Sequence, residues 1–252
     1  MSSPGSGSAQ AVDRALVAAR FVAALDSHDL ARVADALRAD AVWRQPDGSE
    51  AKGREAILAS LGKRATRLTQ EGPLRVTRGT EVAYVCQEGL ADAAETSDGS
   101  RAARIDVIDV DATGRVGTWL TVGGVGAAAP QSGSEADALQ RYVEHVGRGD
   151  AQAVLQLFGS ACDVEDPVGT PIHAGRAAVE KFYESGLAAI TGTQLLGPPV
   201  VSPGVAAVPF RVELDLGGRS LALEVIDVMR FDDDGLFSSM RAFWGRGNRH
   251  ER

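Results

Sequence analysis

The segment Ala222-Leu223-Glu224-Val225-Ile226-Asp227-Val228-Met229-Arg230-Phe231 decides the fold of this chain and locates its chemistry. It is rich in residues that favour β-strands, and successive side chains of a strand point to opposite faces. One face carries Leu221, Leu223, Val225, Asp227, Met229 and Phe231. A lone carboxylate in such an apolar row either accepts a bond from a nearby backbone N–H or keeps its proton, because an unpaired buried charge is costly. A neutral carboxylic acid there can donate a hydrogen bond to a developing oxyanion.

The same pattern occurs twice in the chain. Ile105–Val107 matches Ile226–Val228 at an offset of 121 residues. Offsets of 121 or 122 also relate Arg20–Val22 to Arg141–Val143, Gln45–Pro46 to Asp166–Pro167, Gly53–Ala56 to Gly175–Ala178, and Gly114 to Gly235. A nearly constant offset indicates two copies of one domain, each long enough to own a core. We therefore expect a flexible tail over residues 1–10, domains over 11–122 and 134–252, and a Gly/Ala-rich linker over 123–133.

Helical patterns dominate the start of each copy, and strand patterns dominate its end. In the first copy we expect helices near 9–26, 29–39 and 53–68, and strands near 41–43, 73–78, 81–90, 101–111 and 115–122. In the second we expect helices near 134–148, 150–158 and 175–190, and strands near 161–165, 204–214, 219–232 and 236–245. This order predicts an α+β fold, with helices packed on one face of a curved antiparallel sheet around one deep apolar pocket per copy.

The overall composition narrows the choice of partners. A hydrophobic fraction of 44% and a charged fraction of 24% are typical of soluble globular proteins. The net charge of −8 argues against a nucleic-acid backbone or an anionic membrane as the main partner. Nothing predicts a membrane span, and Met1–Gln10 lacks the features of a secretory signal. Cys86 and Cys162 have no metal-like spacing, so we expect buried free thiols and a cytoplasmic location.

Three polar residues of the second copy can meet in its pocket. Tyr142 lies on the apolar face of the first predicted helix, Asp166 at a strand-to-loop corner before a proline, and Asp227 on the inward face of a strand. Taken singly, the tyrosine is explained as a core residue and Asp166 as a turn residue. His173 lacks an acidic partner in the local sequence and is interpreted as structural. Asp232–Asp234 is interpreted as a solvated turn and not as a metal site.

Seven segments of the second copy resemble the bacterial ketosteroid isomerases (steroid Δ5-3-ketoisomerases). They cover most of residues 135–248 and are Gln140–Tyr142, Val164–Gly169, Pro171–His173, Phe182–Tyr183, Pro209–Glu213, Val225–Phe231 and Phe243–Trp244. The resemblance implies two tandem cone-shaped domains of the ketosteroid isomerase or nuclear transport factor 2-like type.

The resemblance also implies a role for each of the three polar residues. Asp166 would be the general base that moves a proton from C4 to C6 of a 3-oxo-Δ5-steroid, while Tyr142 and protonated Asp227 would hold the dienolate oxygen. Tyr183 would support Tyr142 through a hydroxyl–hydroxyl bond, and Phe158 would end that network. The small apolar ketone would bind against Phe182, Tyr183, Val208, Phe210, Val212 and Trp244. No metal or organic cofactor is implied.

The first copy departs from the family pattern. Phe21 stands at the position of Tyr142 and lacks a hydroxyl, and Gln45 stands at the position of Asp166 and cannot accept a proton at neutral pH. Asp106 survives at the third position. Because two of the three polar groups are missing, we expect the first copy to be inactive. Relatives of the second copy are typically homodimers, so we expect the two copies to pair within one chain. Further association of whole chains stays open.

Two other functions fit the same fold. Polyether epoxide hydrolases (cyclases) also occur as tandem copies, and they pair an acid at the Asp166 position with another carboxylate after the third helix. Residues 186–194 contain no acid, which disfavours this alternative. A non-catalytic binder of hydrophobic ligands is the third reading, although a base and two oxyanion donors would be surplus in a carrier.

Overall fold

The computed structural model describes residues 12–63, 68–70, 75–78, 82–91, 101–123 and 135–251. The first copy contains α1 (Arg14–Asp26), α2 (Leu30–Ala36), β1 (Leu37–Arg44), β2 (Glu50–Lys52), α3 (Arg54–Gly62), β3 (Leu68–Gln70), β4 (Arg75–Arg78), β5 (Val82–Ala91), β6 (Arg101–Val110) and β7 (Val116–Gly123). The predicted tail over 1–10 and nearly all of the predicted linker lie outside the described residues.

The second copy repeats this order. It contains α4 (Glu135–Gly147), α5 (Ala151–Leu155), β8 (Phe158–Glu165), β9 (His173–Ala174), α6 (Arg176–Gly186), β10 (Ile190–Leu195), β11 (Val200–Ser202), β12 (Val205–Asp215), β13 (Ser220–Phe231), β14 (Phe237–Phe243) and β15 (Arg249–Glu251). Helices therefore precede the long strands in both copies, and the predicted α+β class is confirmed.

The two sheets share one topology. The first runs β2–β1–β7–β6–β5–β3 with β4 also on β5, and the second runs β9–β8–β14–β13–β12–β10 with β11 on β12 and β15 on β13. In each sheet only one adjacent pair among the described strands is parallel: β1 with β7, and β8 with β14. Asp106 faces Val85 in the first ladder, and Asp227 faces Val208 in the second.

Helix α4 shows why the sequence folds in this way. Its buried residues are Ala138, Leu139, Tyr142, Val143 and Val146, which recur at the three- and four-residue spacing of one helical face. This face packs on β10 and β12, and its side chains join a core that includes Val208, Phe210 and Met229. Tyr142 is thereby placed against the concave face of the sheet.

Several predicted boundaries were wrong. Helix α2 ends at Ala36 and not near 39, because fully buried Leu37 already pairs with Val116 as the start of β1. Helix α5 ends at Leu155 and not near 158, because Phe158 already begins β8. Helix α6 ends at Gly186, and Ile190 begins β10 on the edge of β12. At these ends the backbone forms hydrogen bonds with a neighbouring strand and no longer continues the helix. Local sequence patterns do not indicate which distant strand will be the partner.

The outer faces of the two sheets contact each other. Their shared apolar cluster consists of Ile105 and Val122 from the first copy and Val200, Val205, Ala207, Ile226, Val228 and Phe243 from the second. The Gly123 N–H also donates to the Ser202 hydroxyl across this contact at 3.0 Å. Since strand side chains alternate, Ile226 and Val228 face the other copy while Asp227 between them faces its own core.

Candidate active site

A cavity of about 340 Å³ opens into the core of the second copy. Such a volume suits a small-molecule site. Its walls come from α4, α6, β12 and β13 and are mostly apolar. The lining residues are Tyr142, Val146, Asp166, Phe182, Tyr183, Gly186, Leu187, Ile190, Phe210, Val212, Leu214, Leu216, Leu221, Leu223, Val225, Asp227, Trp244 and Arg249. All three polar residues singled out from the sequence therefore border one cavity.

Tyr142 and Asp227 are in direct contact inside this cavity. The Tyr142 hydroxyl donates to Asp227 Oδ2 at 3.0 Å. Both side chains are almost completely buried, with exposures of 3% and 2%. They come from different elements, α4 and β13, whose packing in the core brings them together. The cavity thus holds a phenol and a carboxyl group side by side.

The surroundings of Asp227 favour its protonated form. Burial raises its pKa well above the usual range, the charge of Asp166 acts in the same direction, and the Tyr142 hydrogen bond opposes them. Its second oxygen, Oδ1, is buried and has no hydrogen-bond partner among the described residues. Buried polar atoms normally have partners. A protonated Oδ1 therefore forms a donor that a ligand oxygen in the cavity could satisfy.

Asp166 follows β8 directly and begins a loop that is fixed by hydrogen bonds. The Val168 N–H donates to the Ala242 carbonyl at 2.9 Å, and the Gly169 N–H donates to Glu165 Oε1 at 2.8 Å. The Trp244 indole N–H donates to Asp166 Oδ1 at 2.6 Å. Burial raises the pKa of Asp166, while the Trp244 bond and the charge of His173 lower it. The carboxylate is thus oriented at the cavity wall with a donor that stabilises its charged form.

A second tyrosine lies behind the first. The Tyr142 and Tyr183 hydroxyls are 3.3 Å apart, and burial raises the pKa of both phenols well above the usual range. Both phenols therefore stay neutral near pH 7 and can act as donors. The Phe158 ring packs against Tyr183, with centroids 5.5 Å apart, and offers no hydroxyl there. His173 packs on Phe182, with ring centroids 4.9 Å apart.

The expected substrate-contact residues have different positions. Phe182, Tyr183, Phe210, Val212 and Trp244 line the cavity. Val208 differs from the expectation: it faces Asp227 in the ladder, but it is fully buried in the core and is not part of the cavity wall.

The rest of this wall agrees with the sequence in part. Leu221, Leu223 and Val225 line the cavity and belong to the strand face that the sequence assigns to Asp227. Leu214 and Leu216 were not predicted, although the two-residue alternation along β12 could have indicated Leu214. Arg249 was also missed, because β15 was not predicted.

Among the described residues of the first copy, buried aromatic side chains pack beside Asp106, the counterpart of Asp227. The Trp43 and Trp119 rings stack with centroids 4.3 Å apart and an interplanar angle of 5°. The Phe21 ring meets Trp119 edge-on, with centroids 5.2 Å apart. All three side chains are buried. Gln45, at the position of Asp166, donates to the Ser49 hydroxyl in its own hairpin.

Asp106 has partners that its counterpart Asp227 lacks. It accepts from the Trp119 indole N–H at 2.7 Å and from the Thr121 hydroxyl at 2.8 Å. Arg104 Nε lies 2.6 Å from its Oδ2 and Arg104 NH2 lies 2.9 Å from Asp26. A carboxylate with a guanidinium and two donors accepts hydrogen bonds and cannot donate one. Asp106, although it is the same type of residue as Asp227, therefore forms a structural ion pair with Arg104.

The repeat shows which described side chains differ around the two equivalent aspartates. At the offset of 121, the positions of Trp43, Arg104 and Trp119 hold Val164, Val225 and Met240. Each replacement is smaller or uncharged. This signal was present in the sequence, since an alignment of the two copies places large side chains opposite small ones.

Other candidate chemistry among the described residues is sparse. No group of three or more His, Cys, Asp or Glu there is arranged to hold a metal ion. Cys162 is a buried free thiol whose pKa is raised by burial, and the side chain of Cys86 lies outside the described residues. No described helix is long and apolar enough to cross a membrane.

The sequence pattern of the SnoaL-like domain matches residues 18–119 and 139–240. These two matches cover most of the chain, and both fall on the units with helices against a curved sheet. The chain therefore belongs to the SnoaL-like domain family and carries its domain twice.

Relatives with assigned activities fall into two groups. The steroid Delta-isomerase of Nocardioides simplex is 43% identical over 111 residues, which are 44% of this chain and 89% of that enzyme. Epoxide hydrolase LasB of Streptomyces lasalocidi is 32% identical over 116 residues, 41% of this chain and only 39% of that enzyme. A solved structure describes the epoxide hydrolase/cyclase-like enzyme SalBIII, which has a role in pyran ring formation in polyether salinomycin. It is 26% identical to this chain, with a TM-score of 0.43. The match covers 46% of this chain and 94% of the SalBIII chain.

Proposed function

We propose that the second copy is an isomerase that moves the double bond of a 3-oxo-Δ5-steroid, or a similar β,γ-unsaturated ketone, into conjugation. The observation that carries the proposal is the Tyr142–Asp227 contact, 3.0 Å long, in an apolar cavity that Asp166 also lines. The 43% identity to a steroid Delta-isomerase supports the same substrate class.

In this proposal Asp166 is the general base. Its carboxylate removes the C4 proton, the electron pair forms a dienolate, and the protonated Asp166 returns the same proton to C6. Both steps are proton transfers at carbon, so no oxidant or reductant is needed. The Trp244 N–H, 2.6 Å from Asp166 Oδ1, orients the base and stabilises its charged form.

The dienolate oxygen would sit against Tyr142 and Asp227. Its negative charge develops only as the C4 proton leaves, so donors aimed at it stabilise the transition state more than the bound ketone. Asp227 Oδ1, which has no partner among the described residues, supplies one donor when it is protonated. The Tyr142 hydroxyl would supply the other by turning its single proton from Asp227 Oδ2, to which it donates in the free protein, to the ligand oxygen. Neither group carries a charge that would compete with Asp166 for the C4 proton.

One assay tests the assignment directly. Purified full-length chain should convert 5-androstene-3,17-dione to its conjugated isomer, followed as a rise in ultraviolet absorbance. Asp166→Asn should lower kcat by at least ~10²–10⁴-fold, the usual contribution of a general base, while a phenolic steroid still binds. Asp163→Asn, on β8 but outside the cavity lining, is the matched control and should keep its turnover. An Asp166→Asn enzyme with most of its activity would contradict the assignment.

The first copy would act as a structural partner. Its residues at the positions of Tyr142 and Asp166 carry no acid–base chemistry, its buried aromatic rings pack beside Asp106, and its sheet contacts the second copy. We therefore assign one active site per chain, in the domain over residues 134–252, paired internally with the domain over residues 11–122.

A further inference from the structure

The open end of the cavity carries a cation. Arg249 lines the cavity although it is exposed, and it begins β15, the short strand on the outer part of β13. It is the only Arg or Lys in the described lining, whose other members are mostly apolar. Its guanidinium carries five N–H donors that can bind an acceptor oxygen of a ligand at the cavity mouth.

The known contact of Arg249 is with an aromatic ring. Its Cζ lies 5.1 Å from the centroid of the Trp244 ring, a distance typical of a cation–π contact. Within the described part of the chain no carboxylate forms an ion pair with it, whereas Arg219 nearby pairs with Glu251 at 2.6 Å. The ring holds the planar group at the cavity mouth while its N–H donors stay available.

Strand register gives the separation between the two ends of the cavity. Arg249 pairs with Leu223, and Asp227 lies four residues further along β13. At about 3.4 Å per residue, the backbone at Leu223, opposite Arg249, is roughly 14 Å from the backbone at Asp227. This span is comparable with the length of a fused four-ring skeleton. A ligand whose first oxygen lies against Tyr142 and Asp227 therefore places its far end beside Arg249.

We propose that Arg249 is a specificity-determining residue that binds an acceptor oxygen at the end of the substrate opposite to the enolised carbonyl. The substrate class is then a rigid, apolar, elongated ketone with a ketone, hydroxyl or carboxylate oxygen at its far end. This inference rests on the proposed function for its orientation of the ligand. Arg249 would discriminate among ketones by the oxygen at their far end, which the acid–base groups do not contact.

Binding of two phenolic steroids tests the proposal without any turnover. Estrone carries a phenol at one end and a ketone at the other, and 17-deoxyestrone lacks only the ketone. Arg249→Met keeps an unbranched apolar side chain over Trp244 and removes the donors. We expect its Kd for estrone to rise about tenfold, the lower range for a hydrogen bond to a charged group, because the site is partly solvated. The Kd for 17-deoxyestrone should stay within twofold of wild type.

A matched control excludes general effects of charge. Arg246→Met changes an exposed arginine three residues away that is not part of the cavity wall, and it should leave both Kd values unchanged. Equal weakening of both ligands by Arg249→Met would assign Arg249 to packing on Trp244 and overturn the proposal. Unchanged estrone binding, an equal effect of Arg246→Met, or a wild-type chain that binds neither steroid would also overturn it.

The result is separable from that of the isomerase assay. If wild type binds estrone through Arg249 but does not isomerise 5-androstene-3,17-dione, the proposed reaction fails while the far-end contact stands. If wild type isomerises the dione and Arg249→Met changes its KM no more than that of 5-androsten-3-one, the reaction stands and the far-end contact fails.

Discussion

Two aspartates at equivalent positions of the repeat have opposite surroundings. Asp106 is fully buried next to Arg104 and accepts from Trp119 and Thr121, whereas Asp227 meets a phenol and has a raised pKa caused mainly by burial. The residue type alone therefore does not define a site. The Arg104 cation makes the first carboxylate a structural acceptor, whereas burial favours the protonated form of the second, which can donate a hydrogen bond.

Removing an oxyanion donor should affect turnover more than binding. Tyr142→Phe and Asp227→Ala should each lower kcat by on the order of 10²–10³-fold, because the lost bond strengthens as charge develops. Their KM values should change much less. Asp227→Asn keeps an N–H donor and should be milder than Asp227→Ala. Steady-state kinetics on the three variants decides this, and changes confined to KM would make these residues ground-state contacts only.

The Trp244–Asp166 bond predicts a shift in pH dependence. The base works when ionised, so kcat/KM should rise with pH through the raised pKa of Asp166. The Trp244 N–H lowers that pKa, and Trp244→Phe removes this bond while keeping an aromatic ring. The acidic limb of the profile should therefore move to higher pH, with a smaller change on the plateau. Profiles of both enzymes on one ketone provide the measurement, and an unmoved or downward-shifted limb would count against the bond.

At the scale of elements, β6 and β7 of the first copy repeat the geometry of β13 and β14 but support a different interior. Trp119 on β7 stacks on Trp43 of β1, whereas the smaller Met240 stands at the equivalent position of β14. The same ladder thus frames stacked aromatic rings in one copy and a cavity in the other. Side-chain volume, and not the course of the backbone, makes the difference.

This difference predicts that the first copy contributes stability and not turnover. Trp119→Ala removes a buried indole and a donor to Asp106, and it should lower the free energy of unfolding by about 3–5 kcal/mol. At temperatures well below unfolding, kcat should remain within twofold of wild type. Urea denaturation and kinetics on the same preparation measure both quantities. Leu16→Ala, an exposed residue of α1, is the control, and a large fall in kcat of folded Trp119→Ala would assign chemistry to the first copy.

At the scale of the whole molecule, the two sheets bury each other's outer faces. Ile105 and Val122 are fully buried in a cluster with Ile226 and Val228. Burial of such residues contributes roughly 25 cal/mol per Å² of apolar surface. A single copy would expose this apolar patch to water. The linker predicted from the sequence over residues 123–133 would also raise the local concentration of one copy around the other to about millimolar, which would favour internal pairing.

Separation of the copies should therefore expose the patch. Residues 134–252 expressed alone should form a homodimer or aggregate, as judged by light scattering. In the full-length chain, titration with a tight phenolic steroid should saturate at one molecule per chain. Two equivalent sites, or an isolated second half that is monomeric and fully active, would be inconsistent with the internal pair.

The amino-acid sequence by itself determined the duplication, the α+β order of elements and the identity of the polar residues that border the cavity. These are local patterns or direct repeats, so they need no knowledge of distant contacts. Tertiary structure alone decided the ends of α2 and α6, the edge strands β10 and β15, the burial of Val208 outside the cavity wall, the hydrogen bond from Trp244 to Asp166, and the place of Arg249. Each depends on pairing or packing between segments far apart in the chain. Such pairing sets the burial and the charged neighbours that raise the pKa of Asp227 and give Asp106 an ion pair.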